Sequence, residues 1–360
     1  MKRTFPDGEV WKGLRRCLLL MGIAVFLSGG PDALAQAKKG DEKTQPKDAA
    51  AIRLVPRYAA GESLRYQLDV RSTIALASSG LIGDPQGATR TELAISAILR
   101  LDVLSAAPAP VRLRFTYEKS QATVSGNTRD PALAALEAQY KELAGGSLEF
   151  TITGPDGVSD IKGLDSFAAD PRAAATMRDL LLQFARPAAG APESIAPGQS
   201  WSSTQPLPGD SPLDGIAVRV ETTYARNEPC RRTLPERDVV LKPGESLVVD
   251  GGQPAFLSGD CAVLVGRTAI TQRESKDPTP QSYRARGLRT AGTFSGSGES
   301  LTSVSLERAI LVSLVQTSTE SLDLTVTSQL TDSRMRQTGR VESRTVLLLI
   351  ESPEAPPAKP

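Results

Sequence analysis

The feature that most constrains this chain is a strict two-residue alternation of apolar and polar side chains, held over unusually long runs. Leu64, Tyr66, Leu68 and Val70 alternate with Ser63, Arg65, Gln67 and Asp69. Leu93, Ile95, Ala97, Leu99, Leu101 and Val103 form a second run, and Val111, Leu113, Phe115 and Tyr117 alternate with Arg112, Arg114, Thr116 and Glu118 in a third. A period of two places one face of an extended chain in a core and the other in water, as in an antiparallel sheet. Further strands are expected near 148–153, 216–226, 261–271, 300–306, 309–317, 321–330 and 338–350. Several exceed the usual length of about five or six residues. The expected fold is therefore α+β, mainly β, with long curved antiparallel sheets or partial barrels.

Two amphipathic helices interrupt the first half. Asp130-Pro131 supplies an N-cap followed by proline at the first helical position, Leu133, Leu136, Tyr140 and Leu143 recur at helical spacing, and Gly145-Gly146 stops the element. Asp170-Pro171 repeats that start, Ala174, Met177, Leu181 and Phe184 make the stripe, and Pro187 ends it. Both stripes are expected to pack on the sheet.

The N-terminus reads as an export signal. A basic stretch ending in Lys12, Arg15 and Arg16 precedes an apolar run from Cys17 to Leu27, then Gly29, Gly30 and Pro31, then small residues spaced for cleavage after Ala37 or Ala35. The run is about half the length that spans a bilayer, so no integral span is expected once residues 1–37 are removed. Their removal takes five basic and three acidic residues from totals of 42 and 41, leaving 37 against 38. A near-neutral chain has no global field for nucleic acid or for an anionic surface. The expected location is periplasmic or extracellular.

Two cysteines remain, Cys230 and Cys261. An even pair in an oxidising compartment reads as a disulfide, and closing such a loop stabilises by about 3–4 kcal/mol in the chain-entropy treatment. The chain contains no histidine. That removes Ser-His-Asp and Cys-His catalysis and His-ligated metals. No phosphate loop, nucleophile elbow or calcium loop is present, so no catalytic residue, metal ligand or cofactor is assigned. One carboxylate pair is conceivable, Glu62 and Glu299, which occupy matching places in repeated motifs. Glycoside hydrolysis would need two such groups within roughly 5–10 Å.

The organisation read from composition is a flexible charged lead-in (38–50), a first β-rich half with both helices (51–186), a linker rich in Pro, Ala and Gly (187–198), a second β-rich half (199–350) holding the 230–261 loop, and a Pro-rich tail (351–360). The halves echo each other. Gly61-Glu62-Ser63-Leu64 opens one and Gly198-Gln199-Ser200-Trp201 the other. Gly145-Gly146-Ser147-Leu148 and Gly298-Glu299-Ser300-Leu301 open later strands, and Gly244-Glu245-Ser246-Leu247 lies inside the cysteine loop. The echoes read as an old duplication or as a shared turn chemistry. Gly296-Ser297-Gly298 lacks the third glycine of a dinucleotide fingerprint and is read as a turn into the strand from Leu301.

The motifs Tyr58-x-x-Gly61-Glu62-x-Leu64-x-Tyr66, Pro197-Gly198-x-Ser200-Trp201 and Gly296-Ser297-Gly298-Glu299-Ser300 resemble those of an uncharacterised family of exported bacterial proteins. The resemblance implies a duplicated β-rich envelope or secreted domain with no established activity, and it brings no catalytic residues. Three functions stand open. The first is a non-enzymatic envelope or extracellular protein acting as a binding or structural module, with an apolar ligand or an envelope protein as its partner. The second is a carrier of lipid-like apolar ligands in a half-barrel. The third is a carboxylate-dependent hydrolase.

Overall fold

The computed structural model of the protein describes residues 51–351, apart from 81–87, 128–130, 154–156, 168–170, 189, 208–210, 231–258 and 331–332. The export signal with Ala35 and Ala37, the lead-in, the inside of the cysteine loop and the tail beyond Glu351 lie outside the described residues.

Eleven strands form one sheet: β1 (Ser63–Gly80), β2 (Thr89–Ser105), β3 (Arg112–Gly126), β4 (Ser147–Ile152), β5 (Val158–Lys162), β6 (Ser200–Pro206), β7 (Ile216–Pro229), β8 (Asp260–Gln272), β9 (Leu288–Ser305), β10 (Leu311–Ser328) and β11 (Arg334–Glu351). The order across the sheet is β5-β4-β3-β2-β1-β11-β10-β9-β8-β7-β6. Every neighbouring pair is antiparallel. The chain thus follows a cyclic up-and-down meander in which the first and last strands pair in the middle, from Arg65 opposite Glu351 to Gly80 opposite Met335. The sheet is open between β5 and β6.

The position of that opening follows from parity. Eleven strands cannot alternate in direction all the way round a ring. With β1 and β11 antiparallel, β5 and β6 must point the same way. Like-directed strands need a connection that travels back along the sheet, and the chain supplies one in α2 (Leu164–Phe167) and α3 (Pro171–Ala185).

Register sorts the side chains into two faces. The outer face is charged: Arg65 and Arg100 share Glu118, Arg100 also meets Asp102, and Arg112 and Arg114 share Glu149. Arg336 donates two hydrogen bonds to Asp323 across β10 and β11. A face of this charge density is turned to water, because lipid-facing strand positions do not tolerate such groups. Near the disulfide the outer face becomes apolar, with Val263, Val315, Val346 and Leu348 buried.

The inner face carries the core in three parts. At the basal end, where β1 begins and β11 ends, α3 packs on the inner residues of β1–β4. Leu181 and Phe184 are fully buried there, and the Phe184 ring meets Tyr66 at 5.0 Å and Phe115 at 5.9 Å. Beside it, Ala188 and Ile195 cover Trp201, Tyr224, Leu264 and Val304. At the distal end Leu213 and Tyr283, the latter on α4 (Gln281–Arg284), close over Phe294, Leu322, Leu324 and Val326. The first predicted helix is α1 (Pro131–Glu142), which packs along β3. β4 pairs only with Arg112–Thr116 of β3. Further along that strand, the Val124 N–H donates to the Glu137 carboxylate of α1 at 2.5 Å, so a helix covers backbone that would otherwise be a bare sheet edge.

Two sequence expectations change. Gly296-Ser297-Gly298 is not a turn, and Gly298-Glu299-Ser300-Leu301 opens no strand, because both lie inside β9. The runs expected at 309–317 and 321–330 are a single strand, β10. By contrast Gly61, Gly145 and Gly198 stand at φ 82°, 84° and 87°, the left-handed conformation that favours glycine at a turn.

Candidate functional site

The residues singled out from the sequence do not form one site. The Glu62 carboxylate accepts two hydrogen bonds from Arg308 Nη2, at 2.5 and 2.6 Å, and one from the Ala59 N–H. It ties the start of β1 to the turn between β9 and β10. Glu299 lies on the outer face, in the row that runs through Thr317 and Arg344 to Arg71. Nine residues of strand rise separate Arg71 from Glu62, about 30 Å. The two carboxylates are too far apart to share a substrate, and the hydrolase reading loses its pair. Cys230 and Cys261 form a disulfide with Cα atoms 4.9 Å apart, packed on Val312.

The arrangement with chemical potential was not visible in the sequence. Midway along the trough, between its apolar ends, the inner face turns polar. One row across the sheet reads Val218, Ile270, Gly296, Glu320, Val341, Ile74 and Thr91. The next reads Val220, Thr268, Gly298, Ser318, Ser343, Ser72 and Leu93. Ser72 and Ser343 share a hydrogen bond of 2.8 Å. Two glycines, five hydroxyls and a carboxylate thus occupy a surface that is otherwise aliphatic, and we call it the waist.

Glu320 is the centre of the waist. It is 2 % exposed, and its Oε1 has no hydrogen-bond partner among the described residues. Burial pushes its carboxyl up to about 8, and no charged neighbour contributes. In the two rows of the waist, Glu320 alone bears a formal charge when ionised. Glycine opposite makes its position possible. A Cβ at Gly296 would stand 3.2 Å from Glu320 Cγ and 2.8 Å from Ile270 Cδ1. Gly298, Thr268 and Ser343 are half-buried, so the second row of the waist is partly exposed while Glu320 itself is covered.

The inner tyrosines do other work. Tyr58 donates to the Phe184 carbonyl at 2.8 Å and Tyr66 to the Leu311 carbonyl at 3.0 Å. Burial, which lifts both phenols well above their usual value, keeps them as neutral donors. Met177 and Tyr140 belong to the basal core. Among the described residues no group of His, Cys, Asp or Glu is placed to hold a metal, and no helix is long and apolar enough to cross a membrane.

No protein-family model matches the chain, and no significant relative is found among curated proteins. Solved structures share the sheet only loosely. Lipovitellin, in a structure concerned with its lipid–protein interactions, is 11 % identical with a TM-score of 0.36, over 84 % of this chain and 26 % of its own. The chain therefore spans about a quarter of that protein. The outer membrane protein OprG of Pseudomonas aeruginosa is 8 % identical with a TM-score of 0.18, over 82 % of this chain and 99 % of its own. The toluene transporter TodX of Pseudomonas putida is 9 % identical with a TM-score of 0.18, over 83 % and 94 %. At these scores the likenesses carry no argument about function.

Proposed function

We propose that this chain is a non-enzymatic binding module of the cell envelope or extracellular space, exported by its N-terminal segment, and that the trough of its curved sheet holds a lipid-like ligand. The observation that carries this reading is the graded inner face: aliphatic and aromatic walls at both ends, with a waist of small polar residues between them. A wall that is apolar with a few convergent polar groups is the usual lining of a small-molecule site. The charged outer face keeps the module in water, and the disulfide between Cys230 and Cys261 fits an oxidising compartment. The two helices read in the sequence have separate roles. α3 fills the basal end and α1 guards the edge of β3, which leaves the waist as the ligand's seat.

Native mass spectrometry of the chain purified from the envelope that produces it, followed by extraction into organic solvent, tests this. A bound amphiphile released with the protein's unfolding is the expected result. Protein that is empty on isolation and takes up nothing from phospholipid vesicles would overturn the ligand-holding role.

A further inference from the structure

Resting on that reading of the trough, we infer that the waist recognises a positively charged head group, an amine or quaternary ammonium, with Glu320 as its counter-ion. The case begins with an imbalance. A carboxylate in a protein interior ordinarily has an Arg, a Lys or several N–H donors beside it, since an unpaired buried charge is costly. Glu320 has neither. Its row neighbours are Gly296 on β9, Val341 on β11 and, one strand further, Ile270 on β8. None of them titrates or donates.

The waist also has the complementary part of a cation site. In the next row of the inner face lie the hydroxyls of Ser318 and Ser343 and, two strands from Glu320, that of Thr268. Each can accept a hydrogen bond from an ammonium as well as donate one. Glycine at 296 leaves the room that the Glu320 Cγ and the Ile270 Cδ1 occupy, so the carboxyl stem is seated against bare backbone. In the empty trough the carboxyl keeps its proton, because burial favours the neutral form. A ligand cation replaces that proton, so the group is charged only when it has a partner. The apolar ends on either side take the tail of the same molecule.

Three twelve-carbon probes separate this from its alternatives: dodecylamine, dodecanol and dodecanoate, each titrated below its solubility limit or micelle concentration into the full chain with its disulfide formed. At pH 7 dodecylamine should bind about 10–100-fold tighter than dodecanol, the range of one charge-assisted contact, and dodecanoate weakest. Calorimetry in two buffers of different ionisation enthalpy should show dodecylamine, and not dodecanol, releasing about one proton on binding. Glu320→Gln should bring the affinities of dodecylamine and dodecanol, both measured on the variant, to the same value. Equal binding of amine and alcohol by the wild-type chain, or a preference that survives Glu320→Gln, overturns the charge inference while the trough stands. Failure of all three probes to bind overturns the trough reading itself. Proton release needs no variant, so the inference stays testable even if Glu320→Gln does not fold.

Discussion

At the scale of single residues, two buried carboxylates show how surroundings decide a role. Glu62, whose side chain is 8 % exposed, is held by Arg308 and serves as a structural tie. Glu320 has no such partner and carries the opposite consequence for stability. Its folded pKa stands at about 8 against an ordinary 4.5. Between those values the folded chain holds a proton that the unfolded chain has lost, so stability falls as pH rises from 4.5 to 8 and then levels off. Glu320→Gln should remove that slope, leaving the variant about 3–5 kcal/mol more stable than the parent at pH 8 and close to it below pH 4.5. Urea denaturation at pH 4.5, 6 and 8 reads this directly, and parallel pH profiles for the two proteins would refute it. Sequence alone could not mark Glu320. It sits in Thr319-Glu320-Ser321, a polar stretch indistinguishable from a loop until the register shows it facing Gly296.

At the scale of elements, the legible parts were those whose burial follows chemistry in the chain itself. β1, β2 and β3 bury one apolar face each, and their alternation announced them. α3 was legible for the same reason at helical period. What escaped were stretches where the inner residue is small or polar. β9 faces the trough with Gly292, Gly296 and Gly298 on either side of Phe294, so its apolar beat is broken, and β10 looked broken where Ser318 and Glu320 face inward. The waist and the missed strand segments are thus the same residues seen in two ways. α3 is also the element on which the crossover depends. Phe184→Ala removes a fully buried ring that touches Tyr66 and Phe115, and should cost about 3–5 kcal/mol. The denaturation midpoint should drop with little change in slope. A loss under 1 kcal/mol would mean that α3 is not part of the core.

At the scale of the molecule, two closures act on different parts of the chain. The disulfide spans 31 residues of sequence between the ends of β7 and β8. Reducing it should lower stability by about 3–4 kcal/mol, read as a shift in guanidinium unfolding with and without dithiothreitol. An unchanged midpoint would show that the loop is already constrained in the unfolded chain. The other closure is the pairing of β1 with β11 in the middle of the sheet, and it bears on time. A chain emerges N-terminus first, so β1 is made early and its partner last. Until Arg334–Glu351 arrives, β1 has one free edge and the sheet has no centre. Contacts of such sequence separation form slowly, and an 18-residue strand edge left waiting is open to pairing with other chains. The protein's exposure to aggregation is therefore greatest in the interval between synthesis of its first strand and its last. A holding chaperone in the compartment where it folds would find that edge as its most persistent target.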